Sequence, residues 1–436
     1  MDMLDSSDPL IALADTIEWS VFEDSFVSFY SDEGRPAKPI RLMVGLLLLK
    51  QLENLSDESV VLQFKRNPYY QYFCGLHEYV PALPCDATEL VKFRRRIGKK
   101  GVEQIFKMSV QLHGKDAEEK QVIVDTTVQE KNITYPTDGK LAIRMIHHLH
   151  RIAKSEGIQL RRTYVREIKA HRISLRFFRH PRKIKKARAA IKRLRTIVGI
   201  LIRDISRNLS DDRLKHYQEQ FDLFEKVRKQ QIKDKNKVYS LHETHVYAIT
   251  KGKDHKKYEY GTKVSIVTTK QSGVIVGVTA HEAYEHDSNT LEAALTSANA
   301  NRSKAIQEAI CDRGYRGKKE VLGINICIPG TPFKRDTKYQ REQKRRKFRR
   351  RAAIEPIIGH LKSDHRLSRN YLKGFIGDEI NLLLAASAWN LRKWMNNYIR
   401  LLFAVKIVMF ALILQQLRAD ERYRYSGLFL LIWRLR

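Results

Sequence analysis

The order of the predicted elements favours a mixed α/β fold in which a mixed sheet is flanked by helices. Three observations support it. Residues 1–115 show helical periodicity throughout, short β-branched segments such as QVIVDTTV at 121–128 alternate with helical ones further on, and a long basic helical pattern follows the first strand. The sequence therefore predicts an N-terminal helical domain and an α/β domain with a helical insertion after its first strand.

The chain carries a large positive charge. It has 81 Lys and Arg against 49 Asp and Glu, a formal net charge of +32, while 43% of its residues are hydrophobic. That apolar content argues against a disordered basic tail, so the charge indicates a globular protein with a polyanionic partner. Nucleic acid is the leading class, although a ribosome-like or membrane-surface protein would share the charge.

Cysteine usage and the N-terminus indicate the compartment. Cys74, Cys85, Cys311 and Cys327 form no CxxC pair, which fits neither a disulfide framework nor a zinc site. The opening residues MDMLDSSDPL lack the basic and then apolar pattern of a signal peptide. We therefore expect a cytoplasmic protein.

Composition and periodicity predict the domain boundaries. The helical domain covers 1–115, the α/β domain covers 116–400 with its insertion at about 138–236, and an apolar helical tail covers 401–436. In the first domain, Ser56 and Asp86 are predicted N-caps, and Glu89 has capping-box spacing from Asp86.

Two features of these regions leave alternatives open. The arginines at 94–96 either contact phosphates or form a solvated helix face. The apolar run LLFAVKIVMFALIL at 401–414 contains Lys406 and is shorter than the roughly 20 residues that a bilayer requires, so it predicts a buried or oligomer-facing helix and no membrane contact.

Further elements follow the insertion. The sequence predicts strands at 262–270 and 273–283 joined by a hairpin turn at 271–273, a helix at about 288–300, a strand ending at Asp312, a short strand INICIP, and a basic helix that contains Glu355.

Three acids occupy positions that suggest metal binding. Asp125 lies inside a β-branched strand, where an unpaired carboxylate is costly to bury. Asp312 ends a strand, at the edge where α/β sheets usually bind ligands, and Glu355 lies in a segment dominated by arginines. Three adjacent carboxylates stay ionised only with a cation between them, and two Mg²⁺ or Mn²⁺ ions suit oxygen ligands. Two such ions can hold a scissile phosphate, which predicts phosphodiester chemistry.

Each acid also has a purely structural interpretation. Asp125 would be a polar strand residue, Asp312 a turn former, and Glu355 the i,i+4 partner of Arg351. On one continuous helix, however, Arg351 and Lys362 share a face with Glu355, so that metal-holding and phosphate-binding groups would lie together. Spacing alone leaves both interpretations open.

Five segments carry a resemblance to a known family. They are GRPAKPIRLMVGLLLLKQL at 34–52, VDTTVQEKNITYPTD, YEYGTKVS, CDRGYRG and RRAAIEPIIGHLKSDHRLSRNYLKG. With them the chain resembles insertion-sequence transposases of the DDE type, in the group related to the insertion sequence five family. The resemblance implies a ribonuclease H-like catalytic domain in which Asp125, Asp312 and Glu355 bind two divalent ions.

The resemblance also implies roles for basic residues. Arg351, Glu355 and Lys362 stand in frame with the family's helical signature, whereas Phe348 replaces its tyrosine, which puts one phosphate or water contact in doubt. Residues of the same motifs are assigned to DNA binding together with Arg351 and Lys362: Arg316, Arg366, Arg369 and Lys373.

The function implied is that of a DNA transposase. Such enzymes bind terminal inverted repeats, pair two ends in a homodimer or higher multimer, cleave with water and join the 3′-hydroxyls to target DNA, at the bacterial nucleoid. Residues 1–115 would read the ends, and the basic insertion would clamp DNA nonspecifically. Two alternatives remain: a ribonuclease H-like nuclease or junction resolvase without strand transfer, and a noncatalytic DNA-binding relic.

Overall fold

A computed structural model describes residues 4–30, 37–250, 257–328, 330 and 333–434, with side chains for all of these except 347, 348 and 413–434. The elements that the structure describes in the first 115 residues are helices, as predicted. They are α1 Pro9–Thr16, α2 Ser20–Val27, α3 Ile40–Leu52, α4 Asp57–Arg66, α5 Pro68–Phe73 and α6 Ala87–Gln111.

The two predicted N-caps of this region are confirmed. The Ser56 side chain accepts a hydrogen bond from the Ser59 backbone N–H at 3.0 Å, and Asp86 accepts one from the Thr88 backbone N–H at 2.8 Å. Each side chain satisfies a backbone donor that has no partner inside its helix. Burial of every residue from Leu46 to Leu49 then fixes α3 in the core.

The strands form one mixed sheet. They are β1 Gln121–Lys131, β2 Tyr247–Thr250, β3 Tyr258–Thr269, β4 Ile275–His281, β5 Glu308–Ile310, β6 Glu320–Val321, β7 Ile324–Cys327 and β8 Arg369–Asn370. Strand β1 is central because it pairs antiparallel with β3 on one side and parallel with β5 on the other. The β3–β4 hairpin and the parallel β5–β7 pair extend the sheet outward.

The inserted helices build a second core. They are α7 Asp138–Ser155, α8 Val165–Leu175, α9 Ile184–Asn208 and α10 Asp211–Lys229, in the range where the periodicity predicts helices. Their apolar faces pack together through residues such as Leu149, Ile197 and Phe224. The basic residues of the pattern occupy the opposite faces, as expected of amphipathic helices.

The remaining helices follow the β3–β4 hairpin. They are α11 Asp287–Ala300, α12 Lys338–Arg351, α13 Ile354–Ser363 and α14 Gly374–Arg434. The first part of α14 packs against α3 and α6, so the N-terminal helices and the sheet share one hydrophobic core. In the range of the predicted tail at 401–436, α14 continues without a break as far as Arg434.

A buried polar network joins the insertion to the sheet and α14. At its centre is Asp378, whose carboxylate lies 2.7 Å from Lys131 Nζ on β1 and 2.9 Å from His245 Nε2, between the insertion and β2. Thr262 on β3 donates a 2.6 Å hydrogen bond to the same carboxylate. Glu243 lies 3.4 Å from the Lys131 ammonium and completes the charge balance.

Candidate active site and nucleic-acid interface

Asp125 lies in the middle of the central strand. The three residues before it, Val122 to Val124, are buried, whereas Asp125 is half-buried. Its Oδ1 accepts a 2.8 Å hydrogen bond from the Thr126 backbone N–H. The β-branched run therefore fixes the strand in the core and leaves this carboxylate accessible, as the cost of burying an unpaired charge requires.

The sheet register brings Asp312 beside Asp125. Ile123 on β1 pairs with Ile310 on β5, and continuing two residues along these parallel strands brings Asp125 opposite Asp312. Burial raises the pKa of the thiol of Cys311, the residue before Asp312, and the charges of both Asp312 and Asp125 raise this pKa further, which agrees with their proximity.

Asp312 does not lie on a strand, contrary to prediction. Strand β5 ends at Ile310, and Asp312 caps a short 3₁₀ turn, Arg313–Tyr315, by accepting a 2.8 Å hydrogen bond from the Gly314 backbone N–H. Cys311 still donates its backbone N–H to Cys327 on β7, so the chain leaves the sheet only at Asp312. The turn former and the candidate ligand are thus one residue.

A fourth acid, Asp287, lies at the same place and was missed in the sequence. It begins α11, and its Oδ1 accepts a 2.8 Å hydrogen bond from Thr126 Oγ1 and pairs with Lys263 Nζ at 2.7 Å. Burial alone would raise the pKa of Asp287, but these bonds from Lys263 and Thr126 hold it below its usual range. An acid in the first turn of a helix is so common that the sequence offers no special signal for it.

Asp287 and Asp312 face the same glycine. A Cβ added at Gly314 would lie 2.8 Å from Asp287 Oδ2 and 3.0 Å from Asp312 Oδ1. Only a residue without a side chain fits between these two carboxylates and the turn. Together with the register of β1 and β5, this groups three aspartates from β1, α11 and the turn after β5.

Glu355 is on a different helix from Arg351. The predicted continuous helix is interrupted at 352–353, so that Arg351 ends α12 and Glu355 stands in the first turn of α13. The two side chains still meet, with Arg351 donating a 2.5 Å hydrogen bond to Glu355 Oε1. The Glu355 side chain is 58% exposed, while Ile357 and Leu361 anchor the opposite face of α13.

The structure brings two of the three predicted metal ligands together. Among the residues with described side chains, no three of His, Cys, Asp or Glu are arranged to hold a metal ion. Asp125 and Asp312 are neighbours and offer the hard oxygen donors that Mg²⁺ and Mn²⁺ prefer. Glu355, although α13 packs on β1, is engaged by Arg351 instead.

The predicted phosphate-binding residues differ in accessibility. Arg316, Arg369 and Lys373 are exposed, and Lys362 is half-buried on α13. Arg366 is half-buried, and its guanidinium lies 5.7 Å from the centre of the Tyr371 ring. The side chain of Phe348, which replaces the family's tyrosine, lies outside the described residues.

Two of the arginines at 94–96 have structural roles. Arg94 is buried and donates two hydrogen bonds to Asp57, at 2.8 and 2.6 Å. Lys50 reaches the same carboxylate at 2.8 Å, and burial lowers the pKa of its ammonium to about 8. Arg96 covers the Tyr30 ring at 4.5 Å. The interpretation of Arg94 as a phosphate contact is therefore wrong.

Arg95 instead faces a cavity of about 1080 Å³ between the N-terminal helices and the start of α14. The lining includes cationic groups, acids and an exposed aromatic ring: Lys50, Arg94, Arg95, Lys99, Arg366, Lys373, Asp57, Glu58, Glu379 and Tyr371. Lys99 pairs with Glu379 at 2.7 Å. Arg95 and Lys373 make no ion pair with the described residues, so both are available to a polyanion.

Comparison with known proteins agrees with this arrangement. Residues 1–96 match a family model described as "Transposase domain (DUF772)", and residues 226–391 match the "Transposase DDE domain". The uncharacterised protein ORF8 in the nfe locus of Rhizobium meliloti is 41% identical over 178 residues, which cover 40% of this chain and 86% of that protein. No solved structure matches the chain.

The strand order and mixed strand directions are those of the ribonuclease H-like fold of DDE domains. The chain belongs to the insertion-sequence DDE transposases. Residues 97–225, which contain β1, the helices α7 to α9 and most of α10, lie outside both matched regions. Strand β1 nevertheless pairs with β3 and β5, which lie inside the DDE match. The strands before and after the insertion therefore belong to the same sheet.

Proposed function

We propose that this chain is an active DNA transposase that binds the terminal inverted repeats of an insertion sequence, cleaves its ends by metal-dependent hydrolysis and joins the 3′-hydroxyls to target DNA. The observation that carries this proposal is the register that aligns Asp125 with Asp312, in a chain that matches the transposase DDE domain. A decayed protein would have no need to keep accessible carboxylates side by side, one on β1 and one just after β5.

The proposed catalytic acids are Asp125, Asp312 and Glu355, holding two Mg²⁺ or Mn²⁺ ions. When bound, such ions supply an activated water and stabilise the leaving oxygen of a phosphodiester. Asp125 and Asp312 are already neighbours, whereas Glu355 would have to exchange Arg351 for metal. The exchange would release the Arg351 guanidinium for a DNA phosphate, so one ion pair would control both a ligand and a phosphate contact.

Lys263 and Asp287 have a proposed positioning role beside these acids. The buried ammonium of Lys263 neutralises Asp287, and Thr126 ties Asp287 to the strand that carries Asp125. Without that ammonium, three clustered aspartates would repel one another more strongly before metal binds. The pair therefore supports the site without needing to touch DNA.

DNA would lie across the basic residues that surround this edge of the sheet. Arg316, Lys362, Arg366, Arg369 and Lys373 are the proposed phosphate contacts, joined by Arg351 once it leaves Glu355. Residues 1–115 are the proposed reader of the inverted repeats, and the helical insertion the nonspecific clamp. Pairing of two ends would require at least two copies of the chain, working at the nucleoid.

Strand-transfer assays test the proposal. The protein is incubated with labelled end DNA, a plasmid target and Mg²⁺, and the products are separated by size. Joined products are expected. Cut fragments without joined products would instead identify a nuclease, and binding without cleavage would identify a noncatalytic relic.

Asp312→Asn is the variant that tests the site itself. It keeps the shape of the side chain and the turn cap but removes the charge, so we expect cleavage to fall at least a hundredfold, while affinity for end DNA stays within about threefold. Asp24→Asn, which neutralises an exposed aspartate on α2, is the matched control and should cleave normally. Cleavage by Asp312→Asn at the unaltered rate would refute the assignment.

A further inference from the structure

The two parts of α14 lie in different environments. Ile380, Leu384 and Leu391 are buried in the main core, whereas eight large apolar side chains between residues 401 and 412 are exposed by 48–67%. The exposed set is Leu401, Phe403, Val405, Ile407, Val408, Met409, Phe410 and Leu412. We call residues 401–412 the tail segment. The predicted alternative that this helix is buried is therefore wrong for a single copy of the chain.

The exposed apolar area of the tail segment is too large for an isolated soluble protein. Eight side chains of this size, about half exposed, present on the order of 900 Å² of apolar surface. The largest apolar patch on a typical monomer is about 300–600 Å², whereas each partner of a stable protein complex buries about 800 Å². Summed over all faces of the helix, the tail segment thus has about the area of one side of an interface.

A bilayer is a poor match for this surface. By length and composition alone, the segment Gly374–Leu412 is apolar enough to cross a membrane. Its first part is already buried in the protein core, however, and the apolar run at 401–414 spans only about 21 Å against the roughly 30 Å of a bilayer core. Lys406 also stands in the middle of the run.

The spacing of the exposed residues fits packing against other helices. Leu401, Val405, Val408 and Leu412 recur at intervals of four, three and four residues, which is the a/d spacing of a coiled-coil seam. A second set, made of Phe403, Ile407 and Phe410, repeats the spacing on the opposite face of the helix. A helix that is apolar on two opposite faces needs a neighbour on each to be buried.

We propose that the tail segment is a self-association surface, through which copies of this chain pack their α14 helices together. Other copies supply what the segment requires, namely an apolar helix of equal length with the same two seams. Because each tail has two seams, it can contact two other tails, which predicts an assembly larger than a dimer. This inference does not depend on the DNA chemistry, since association is measured without DNA.

Light scattering after size exclusion tests the proposal on the full chain in detergent-free buffer. The expected mass is at least three times the 51.0 kDa of one chain. Replacing Val405 and Val408 by glutamate should break the first seam, and replacing Phe403 and Phe410 should break the second. Each double variant should fall to a dimer, and the fourfold variant should be a monomer.

Matched controls distinguish association through the tail segment from nonspecific hydrophobic association. Val165 and Ile232 are exposed apolar residues elsewhere, so Val165→Glu with Ile232→Glu should leave the mass unchanged. Circular dichroism should show equal helix content in all variants. The proposal is overturned if the intact chain is a monomer, if the fourfold variant keeps the full mass, or if the chain floats as a monomer with vesicles of phosphatidylethanolamine and phosphatidylglycerol.

Discussion

Gly314 is the residue on which the arrangement of acids depends most directly. It lies between Asp287 and Asp312, and a single methyl group there would come within 3.0 Å of an oxygen of each. Neither carboxylate can move away from the added methyl group freely, because Lys263 and Thr126 bind Asp287 and the backbone of the turn binds Asp312. The sequence shows this glycine only as part of a turn.

We therefore expect Gly314→Ala to destabilise the fold by about 1–3 kcal/mol through overpacking. Cleavage should fall at least tenfold, since the added methyl displaces a proposed ligand. Urea denaturation and the cleavage assay measure the two effects. Gly359→Ala is the control: Gly359 lies on the exposed side of α13 with no atom within 4 Å of the added Cβ, and the variant should gain about 1 kcal/mol of stability. Equal behaviour of the two variants would contradict the tight fit.

At the scale of elements, the break between α12 and α13 decides what Glu355 contacts. A helical pattern with basic residues on all sides shows no boundary at 352–353, because alanines are excellent helix formers. The break occurs where the chain meets the sheet. Arg350 donates a 2.5 Å hydrogen bond to the Lys270 carbonyl at the end of β3, and Ile354 is buried immediately afterwards. Tertiary contacts, not local preference, therefore set this helix end.

The Asp378 network should make the junction of insertion, sheet and α14 sensitive to acid. Burial would raise the pKa of Asp378, but His245, Lys131 and Thr262 bind its charged form and lower the pKa overall. Because the pKa of Asp378 is lower in the folded state, its charged form stabilises the fold at any pH above the unfolded pKa of about 3.9. This stabilisation is lost as the pH falls through the folded pKa. Stability should thus decline below about pH 4.

Asp378→Asn tests this expectation by chemical denaturation between pH 3 and pH 7. It leaves Lys131 with only Glu243 as a counter-charge, so we expect a loss of about 3 kcal/mol at pH 7. The decline in acid should also become shallower than in the unaltered protein. Asp24→Asn should reproduce the unaltered curve. A stability profile of Asp378→Asn parallel to that of the parent would show that the network does not titrate as described.

At the scale of the whole molecule, a net charge of +32 predicts that DNA affinity falls steeply with salt. Each neutralised phosphate contributes about −0.9 to the slope of log affinity against log salt. Arg95→Gln with Lys373→Gln removes two cations from the cavity lining, so the slope should shrink by about 2. Fluorescence anisotropy with labelled duplex between 50 and 300 mM salt is the measurement.

The control for this prediction also removes two positive charges, but near the N-terminal ends of β1 and β5. Lys120 precedes β1 and Lys304 precedes β5, and both are exposed. Lys120→Gln with Lys304→Gln should leave the slope nearly unchanged, because long-range attraction is screened within about 10 Å at 0.1 M salt. Equal slopes for the two double variants would exclude the cavity as a phosphate-binding surface.

The sequence by itself determined the local features of this protein. β-branched runs, helical periodicity and capping residues predicted the main helices, the helical insertion and the longer strands of the mixed sheet, because these elements depend on neighbours within a few residues. The short strands β2, β6 and β8 were not predicted. The family motifs favoured the metal-binding interpretation of the three candidate acids over the structural one. The charge predicted a polyanionic partner, because it requires only a count.

Only the tertiary structure decided which of these residues meet. Asp287 joins Asp125 and Asp312 through helix placement, Arg94 pairs with Asp57, and Glu355 pairs with Arg351 across a helix break. The tail segment shows the same limit, since its periodicity predicted a helix but not that one copy leaves it exposed. Such contacts join residues that are far apart in the chain, and local sequence patterns do not show which of these residues meet in the fold.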